Sequence, residues 1–135
     1  MNKDKLIKYF DLYSQGSYEE AINSCFTEEA SFWNTRIALC GRQKIIDWLN
    51  ASHVGYLEKL SPVNFIIDSK GAAIELEQEF HATEDMSHFF IRPMKKGEIF
   101  KTRGISLFLK FEDGKICSSK EYRWLYKCDP KLFMT

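Results

Sequence analysis

Apolar residues change their spacing at Pro62, and this single change constrains the fold more than any other feature of the chain. Ahead of it three sets recur at helical spacing: Leu6, Tyr9, Phe10 and Tyr13; Tyr18, Ala21, Ile22, Cys25 and Phe26; and Ile45, Trp48, Leu49, Ser52 and Tyr56. Behind it the period is two. Helices first and long strands afterwards imply an α+β chain, with three N-terminal helices packed on one face of a bent antiparallel sheet.

Local signals place the boundaries. The first helix ends near Gly16, and Ser17 with Glu20 three residues on reads as a capping box opening the second. Ala30 to Asn34 and Ile37 to Cys40 read as short extended pieces, and Pro62 stops the third helix. Strands follow over Val63 to Asp68 and, after a Ser69-Lys70-Gly71 turn, over Ala72 to about Thr83. In the latter, Ile74, Leu76, Gln78, Phe80 and Ala82 share one face while Glu75, Glu77, Glu79 and His81 share the other. The acidic row reads as a sheet face paired with Lys101 and Arg103.

Residues 84–97 lack periodicity and read as an irregular arm able to rim a pocket. Ile99 to Phe111 and Ile116 to Tyr126 alternate on either side of Asp113-Gly114, the pair favoured in a type I′ hairpin turn because both central residues need positive φ. The strand from Ile99 is expected to pair both with the strand from Ala72 and with the one following the hairpin.

At 135 residues the chain fits one domain, 1–135. Nineteen basic and nineteen acidic residues cancel, leaving no concentrated cationic surface for nucleic acid or anionic membrane. No leader pattern and no apolar run of roughly 20 residues are present, so the expected location is the cytoplasm. Cys25, Cys40, Cys117 and Cys128 lack metal or redox spacing and read as free thiols. His53, His81 and His88 stand alone and read as structural, so no metal site is expected.

Three stretches carry a family resemblance: "GSYEEAINSCFTEEASFW", "RPMKKGEIFKTRGISLF" and "FEDGKICSSKEYRW". In order and content the chain resembles the nuclear transport factor 2-like (SnoaL-like) superfamily over nearly its whole length. The resemblance implies a cone-shaped curved sheet, a cystatin-like roll, around an apolar cavity, with no cofactor and with homodimers formed through the sheet. It also implies a small apolar or cyclic ligand.

The superfamily hosts enzymes and binding modules alike, so individual residues must decide. The ketosteroid isomerase tyrosine falls on Tyr9, but its general base falls near Asn34 and its second acid near Ser106, and an amide is no base at neutral pH. The epoxide hydrolase pattern of one Arg between two Asp finds no Asp in the long C-terminal strands. The SnoaL cyclases' last-strand acid aligns with Glu121.

A two-residue turn at Asp113-Gly114 sets Phe108 opposite Ser119, Ser106 opposite Glu121 and Gly104 opposite Arg123. Two readings of that hairpin stand. Either the Glu121 side lines the cavity and Ile105, Leu107, Tyr122 and Trp124 form the dimer face, or that more apolar side is core and Glu121 with Arg123 is solvated.

On the first reading the chain is a cofactor-independent lyase, isomerase or cyclase moving a proton on a cyclic or polyketide-like substrate. Glu121 is then the catalytic acid/base and Arg123, Tyr9, Asn34 and Ser106 the positioning groups, with Trp33, Trp48 and Phe80 as cavity walls. The alternative is a non-catalytic dimeric ligand-binding module.

Overall fold

The computed structural model describes residues 1–89 and 92–123, with only the backbone of residues 103 and 104. Its elements are α1 Lys3–Ser14, α2 Tyr18–Cys25, β1 Phe26–Trp33, β2 Ala38–Cys40, α3 Arg42–Ser52, β3 Tyr56–Ile67, β4 Gly71–Ala82, β5 Ile99–Glu112 and β6 Lys115–Arg123. Among the described residues the strands form one curved sheet in the order β2-β1-β6-β5-β4-β3, with the three helices as expected for an α+β cone.

Pairing departs from the expected all-antiparallel sheet at one place: β1 runs parallel to β6, so the sheet is mixed. The cause is topological. β1 leaves α2 directly and reaches the last strand, not a sequence neighbour, so no hairpin dictates its direction. β5 pairs with both β4 and β6, as the alternation predicted.

Helix stripes bury as their spacing requires, with Leu6, Tyr9, Phe10 and Tyr13 of α1 and Tyr18, Ala21, Ile22 and Cys25 of α2 facing the sheet. The Ser17 side chain makes no cap hydrogen bond. Its backbone serves instead, the carbonyl accepting from the Ala21 amide at 3.0 Å.

β3 begins at Tyr56, six residues ahead of Pro62, because an edge strand tolerates a residue without an amide proton. Pairing with β4 shifts register between Pro62 and Asn64. A second shift sets Leu76 opposite Ile105 but Gln78 opposite Thr102, which turns both Ile105 and Thr102 inward. Such bulges bend and twist a strand, which is how this sheet curves.

A third shift decides the site. Asp113 and Gly114 both have positive φ, 50° and 74°, so the hairpin turn is the expected one. Pairing nonetheless moves from Phe111↔Ile116 to Lys110↔Ser118, leaving Cys117 as an extra residue. Every residue of β6 beyond it therefore changes face relative to the simple register. Glu121 lies opposite Leu107, and Arg123 opposite Ile105. Both sequence readings of the hairpin were half right: the apolar side of β5 is core, and Glu121 points into that core with it.

It follows that Ile105 and Leu107, buried at 1% and 6% exposure, do not form an outer interface. Ser106 pairs with Tyr122 on the other side of the sheet, away from Glu121. Trp124 and Cys128 lie outside the described residues.

The interior has two apolar clusters. The larger joins the helices to the middle of the sheet, and the smaller gathers Phe80, Ala82, Phe89, Met94 and Phe100 at the end of β4 and β5. The acidic row of β4 behaves as expected where described, with Glu79 binding Lys101 at 3.1 Å and His81 at 2.7 Å.

Candidate active site

Between the two apolar clusters runs a row of buried and half-buried polar side chains. Along β3 it falls at Glu58, between Leu60 and Tyr56; along β4 at Gln78, between Leu76 and Phe80; along β5 at Thr102; and along β6 at Glu121 and Arg123. Burying ionised groups is costly unless each is paired, so such a row in a core of this size demands an accounting of its partners.

Glu58 is the centre. Its Oε2 lies 2.7 Å from His53 Nε2 and accepts from the Tyr13 hydroxyl at 3.2 Å. Its Oε1 accepts from the Gln78 amide and lies 3.8 Å from Arg123 Nη2. Gln78 is itself oriented, since its carbonyl accepts from Thr102 Oγ1 at 3.0 Å. The same Nη2 donates to Glu121 Oε1 at 3.1 Å. One arginine thus stands between two carboxylates, with its Cζ 6.0 Å from the centre of the Phe80 ring.

Local structure explains how these side chains meet. Tyr13 occupies the last turn of α1, and the α1–β3 contact is fixed where Ser14 Oγ accepts the Leu60 amide at 3.0 Å. His53 caps the C-terminus of α3, its Nδ1 donating to the Leu49 carbonyl at 2.8 Å. With Nδ1 committed as donor, the 2.7 Å contact of Nε2 with Glu58 needs a proton between them.

The two carboxylates are pushed in opposite directions. Burial alone would raise Glu58, but the His53 hydrogen bond, the Arg123 charge and the Gln78 amide outweigh it and hold the group below its ordinary value. Burial pushes Glu121 up. Arg123 pulls it back, the negative Glu58 adds to the rise, and the net shift is upward. Arg123 loses stability as a cation through burial, yet the two glutamates more than restore it and keep it charged. Accessibility follows the same division: side-chain exposure is 8% for Glu58 and 16% for Glu121. Glu58 is the more enclosed of the two.

A pocket of about 350 Å³ opens beside this row, between the end of α3 and residues 84–89. Ser52, Val54, Tyr56, Met86 and Phe89 are among its walls, with Arg36 and Glu84 at its rim. Tyr56 is the shared boundary. Its ring packs on His53 at 5.3 Å and on Phe89 at 5.3 Å, and its phenol feels the charges of Glu58, Arg36 and Arg123. The irregular arm after β4 thus forms part of a pocket rim, as its composition suggested.

Of the residues nominated from sequence, Glu121, Arg123 and Phe80 come together here. Tyr9 is buried against Tyr13 and Phe26 and lies within electrostatic reach of Glu58 and Glu121. Trp48 packs in the larger cluster, 6.2 Å from Phe32. Three are elsewhere. Ser106 faces outward; Trp33 packs against Tyr122 at 5.1 Å with the rings tilted, on the outer side; and Asn34 closes a turn, its Oδ1 accepting from the Arg36 and Ile37 amides. The sequence reading missed Glu58, His53, Gln78 and Tyr13 as site residues. Two signals were available: the alternation Tyr56, Glu58, Leu60, and one amide, Gln78, in an otherwise apolar row.

No protein-family model matches the sequence, and no curated protein does. Solved structures do match. A candidate polyketide cyclase from Xanthomonas campestris pv. campestris shares 14% identity over 90% of this chain and 89% of that one, with a TM-score of 0.72. Another from Pseudomonas putida shares 16% over 90% of each, also at 0.72. A protein with a ketosteroid isomerase-like fold from Catenulispora acidiphila, in complex with trimethylamine, shares 12% over 93% and 88%, at 0.69.

Proposed function

For a chain with the nuclear transport factor 2-like, SnoaL-like fold, we propose a cofactor-independent enzyme that moves a proton on a cyclic or polyketide-like carbonyl substrate. The observation that carries this reading is the single guanidinium between two buried glutamates whose proton affinities diverge. Groups pushed apart in this way divide into a fixed charge and a working acid/base. Glu58, bonded by His53, Tyr13 and Gln78, is the fixed anion.

Glu121 is the working group. As a carboxylate of raised proton affinity it is a stronger base than an ordinary glutamate, so it removes a proton from carbon next to a carbonyl. Arg123 donates to the oxygen as it becomes an enolate, and Glu121 then returns the proton elsewhere on the ligand. The names of the structural neighbours support the substrate class. The protein is further proposed to work as a homodimer joined through the outer face of the sheet.

The test is deuterium exchange at the α-carbon of cyclic ketones such as cyclohexanone and 2-tetralone, followed by NMR in D₂O. The wild-type protein should accelerate exchange, with a rising pH limb above the ordinary glutamate range because Glu121 is shifted upward. Glu121→Gln should lose at least a hundredfold of that acceleration and the limb with it. Equal exchange by the two proteins would leave the binding-module reading.

A further inference from the structure

His53 is enclosed by three tyrosine rings: Tyr18 at 4.7 Å, Tyr56 at 5.3 Å and Tyr13 at 5.8 Å. Two of the three hydroxyls are occupied. That of Tyr13 donates to Glu58, and that of Tyr56 donates to the Ser52 carbonyl at 3.0 Å. The hydroxyl of Tyr18 is buried and has no hydrogen-bond partner among the described residues, although the residue itself is only 5% exposed. Buried hydroxyls are nearly always bonded, because losing water without gaining a partner is costly, so an exception calls for an occupant.

The surroundings say what kind. The Tyr18 hydroxyl lies within electrostatic reach of both Glu58 and the Tyr56 phenol, and Tyr56 is the wall of the pocket. Burial holds this phenol protonated, so it is a neutral donor. Because Glu58 bears the negative charge nearby, a second anion is disfavoured there and an uncharged acceptor is not. The Tyr13 and His53 rings supply aromatic contact beside the Tyr18 ring, and beyond Tyr56 the pocket mixes Val54, Met86 and Phe89 with polar side chains such as Ser52 and Ser87.

We propose that the Tyr18 hydroxyl is the hydrogen-bond donor of a ligand subsite opening through the Tyr56 pocket, for a small neutral molecule with a carbonyl oxygen on an apolar or aromatic body. The proposal rests on the reading of Glu121 and Arg123 as the working pair, and it adds a recognition point that proton transfer itself does not require.

Acetophenone and ethylbenzene have nearly the same shape and differ by the carbonyl oxygen, so NMR titration of the whole protein with each isolates that contact. The wild-type protein should bind acetophenone about three- to tenfold more tightly. Tyr18→Phe should abolish the preference while leaving ethylbenzene binding unchanged, and its unliganded Tm should equal or exceed that of the wild type. No preference in the wild type, no binding of either probe, or a preference surviving in Tyr18→Phe would overturn the subsite. So would a Tm lowered by several degrees, since the hydroxyl would then be bonded already in the free protein. Glu121→Gln should keep the preference. A preference that survives in Tyr18→Phe belongs to the Arg123 guanidinium, the donor to the substrate oxygen in the catalytic reading, and the subsite then falls while that reading stands.

Discussion

The carboxylate of Glu58 is held from four directions, by His53, Tyr13, Gln78 and Arg123. Removing one partner from such a buried set leaves the others desolvated without compensation, so Glu58→Gln should cost about 3 to 5 kcal/mol in urea unfolding at neutral pH. Its pH dependence has a definite sign. The folded-state affinity of Glu58 for a proton is lowered, so its contribution is complete above the unfolded pKa and is lost as pH falls through the folded one. Wild-type and Glu58→Gln stabilities should therefore converge in acid, and parallel curves would mean that Glu58 is not ionised in the folded protein. Glu121 acts oppositely: its raised affinity makes the charged form a cost above its folded pKa, relieved as pH falls. Resemblance to the cyclases' last-strand acid is what nominated Glu121, whereas the simple hairpin register that set Arg123 beside it gives way to the bulged one. Glu58 was hidden because it precedes Pro62, in a stretch that helical spacing had joined to α3 through Tyr56.

At the scale of elements, the extra residue at Cys117 decides which face of β6 enters the core. Deleting Cys117 would restore one-to-one pairing, turn Lys120 and Tyr122 inward and carry Glu121 and Arg123 out. A lysine unpaired in that interior, with the polar row broken, should lower stability by several kcal/mol, whereas Cys117→Ser keeps the strand length and should cost less than about 1 kcal/mol. Comparable urea midpoints for the two variants would refute the assignment of register control to this bulge. The hairpin itself was legible, since Asp-Gly is a local signal. The bulge was not: nothing in Ile116-Cys117-Ser118-Ser119 marks one residue as surplus, and only packing chooses the register that buries both Ile116 and Ser119. The helices and the β4 face were readable because each buries a single regular stripe, whereas the parallel β1–β6 contact depends on the finished topology.

For the whole molecule, the same bulge redraws the surface available for self-association. Trp33, Phe108 and Tyr122 now project from the outer side of the sheet at 37%, 50% and 45% exposure, with Tyr122 5.1 Å from Trp33 and 5.5 Å from Phe108. Three touching aromatic rings on an open sheet face form the kind of patch that marks an interface, and a net charge of zero does little to keep two copies apart. Leu107, which the reading with Glu121 in the cavity placed in the dimer face, is 6% exposed in the core. The two neighbours in sequence therefore make opposite predictions. Phe108→Glu should leave the fold and its Tm within a few degrees of wild type while converting a dimer to a monomer, read by light scattering at micromolar concentration. Leu107→Glu should instead unfold the chain, by burying a second carboxylate opposite Glu121 and against Ile74. A wild-type protein already monomeric in that measurement would remove the dimer, and a Phe108→Glu protein still dimeric would move the interface off this face.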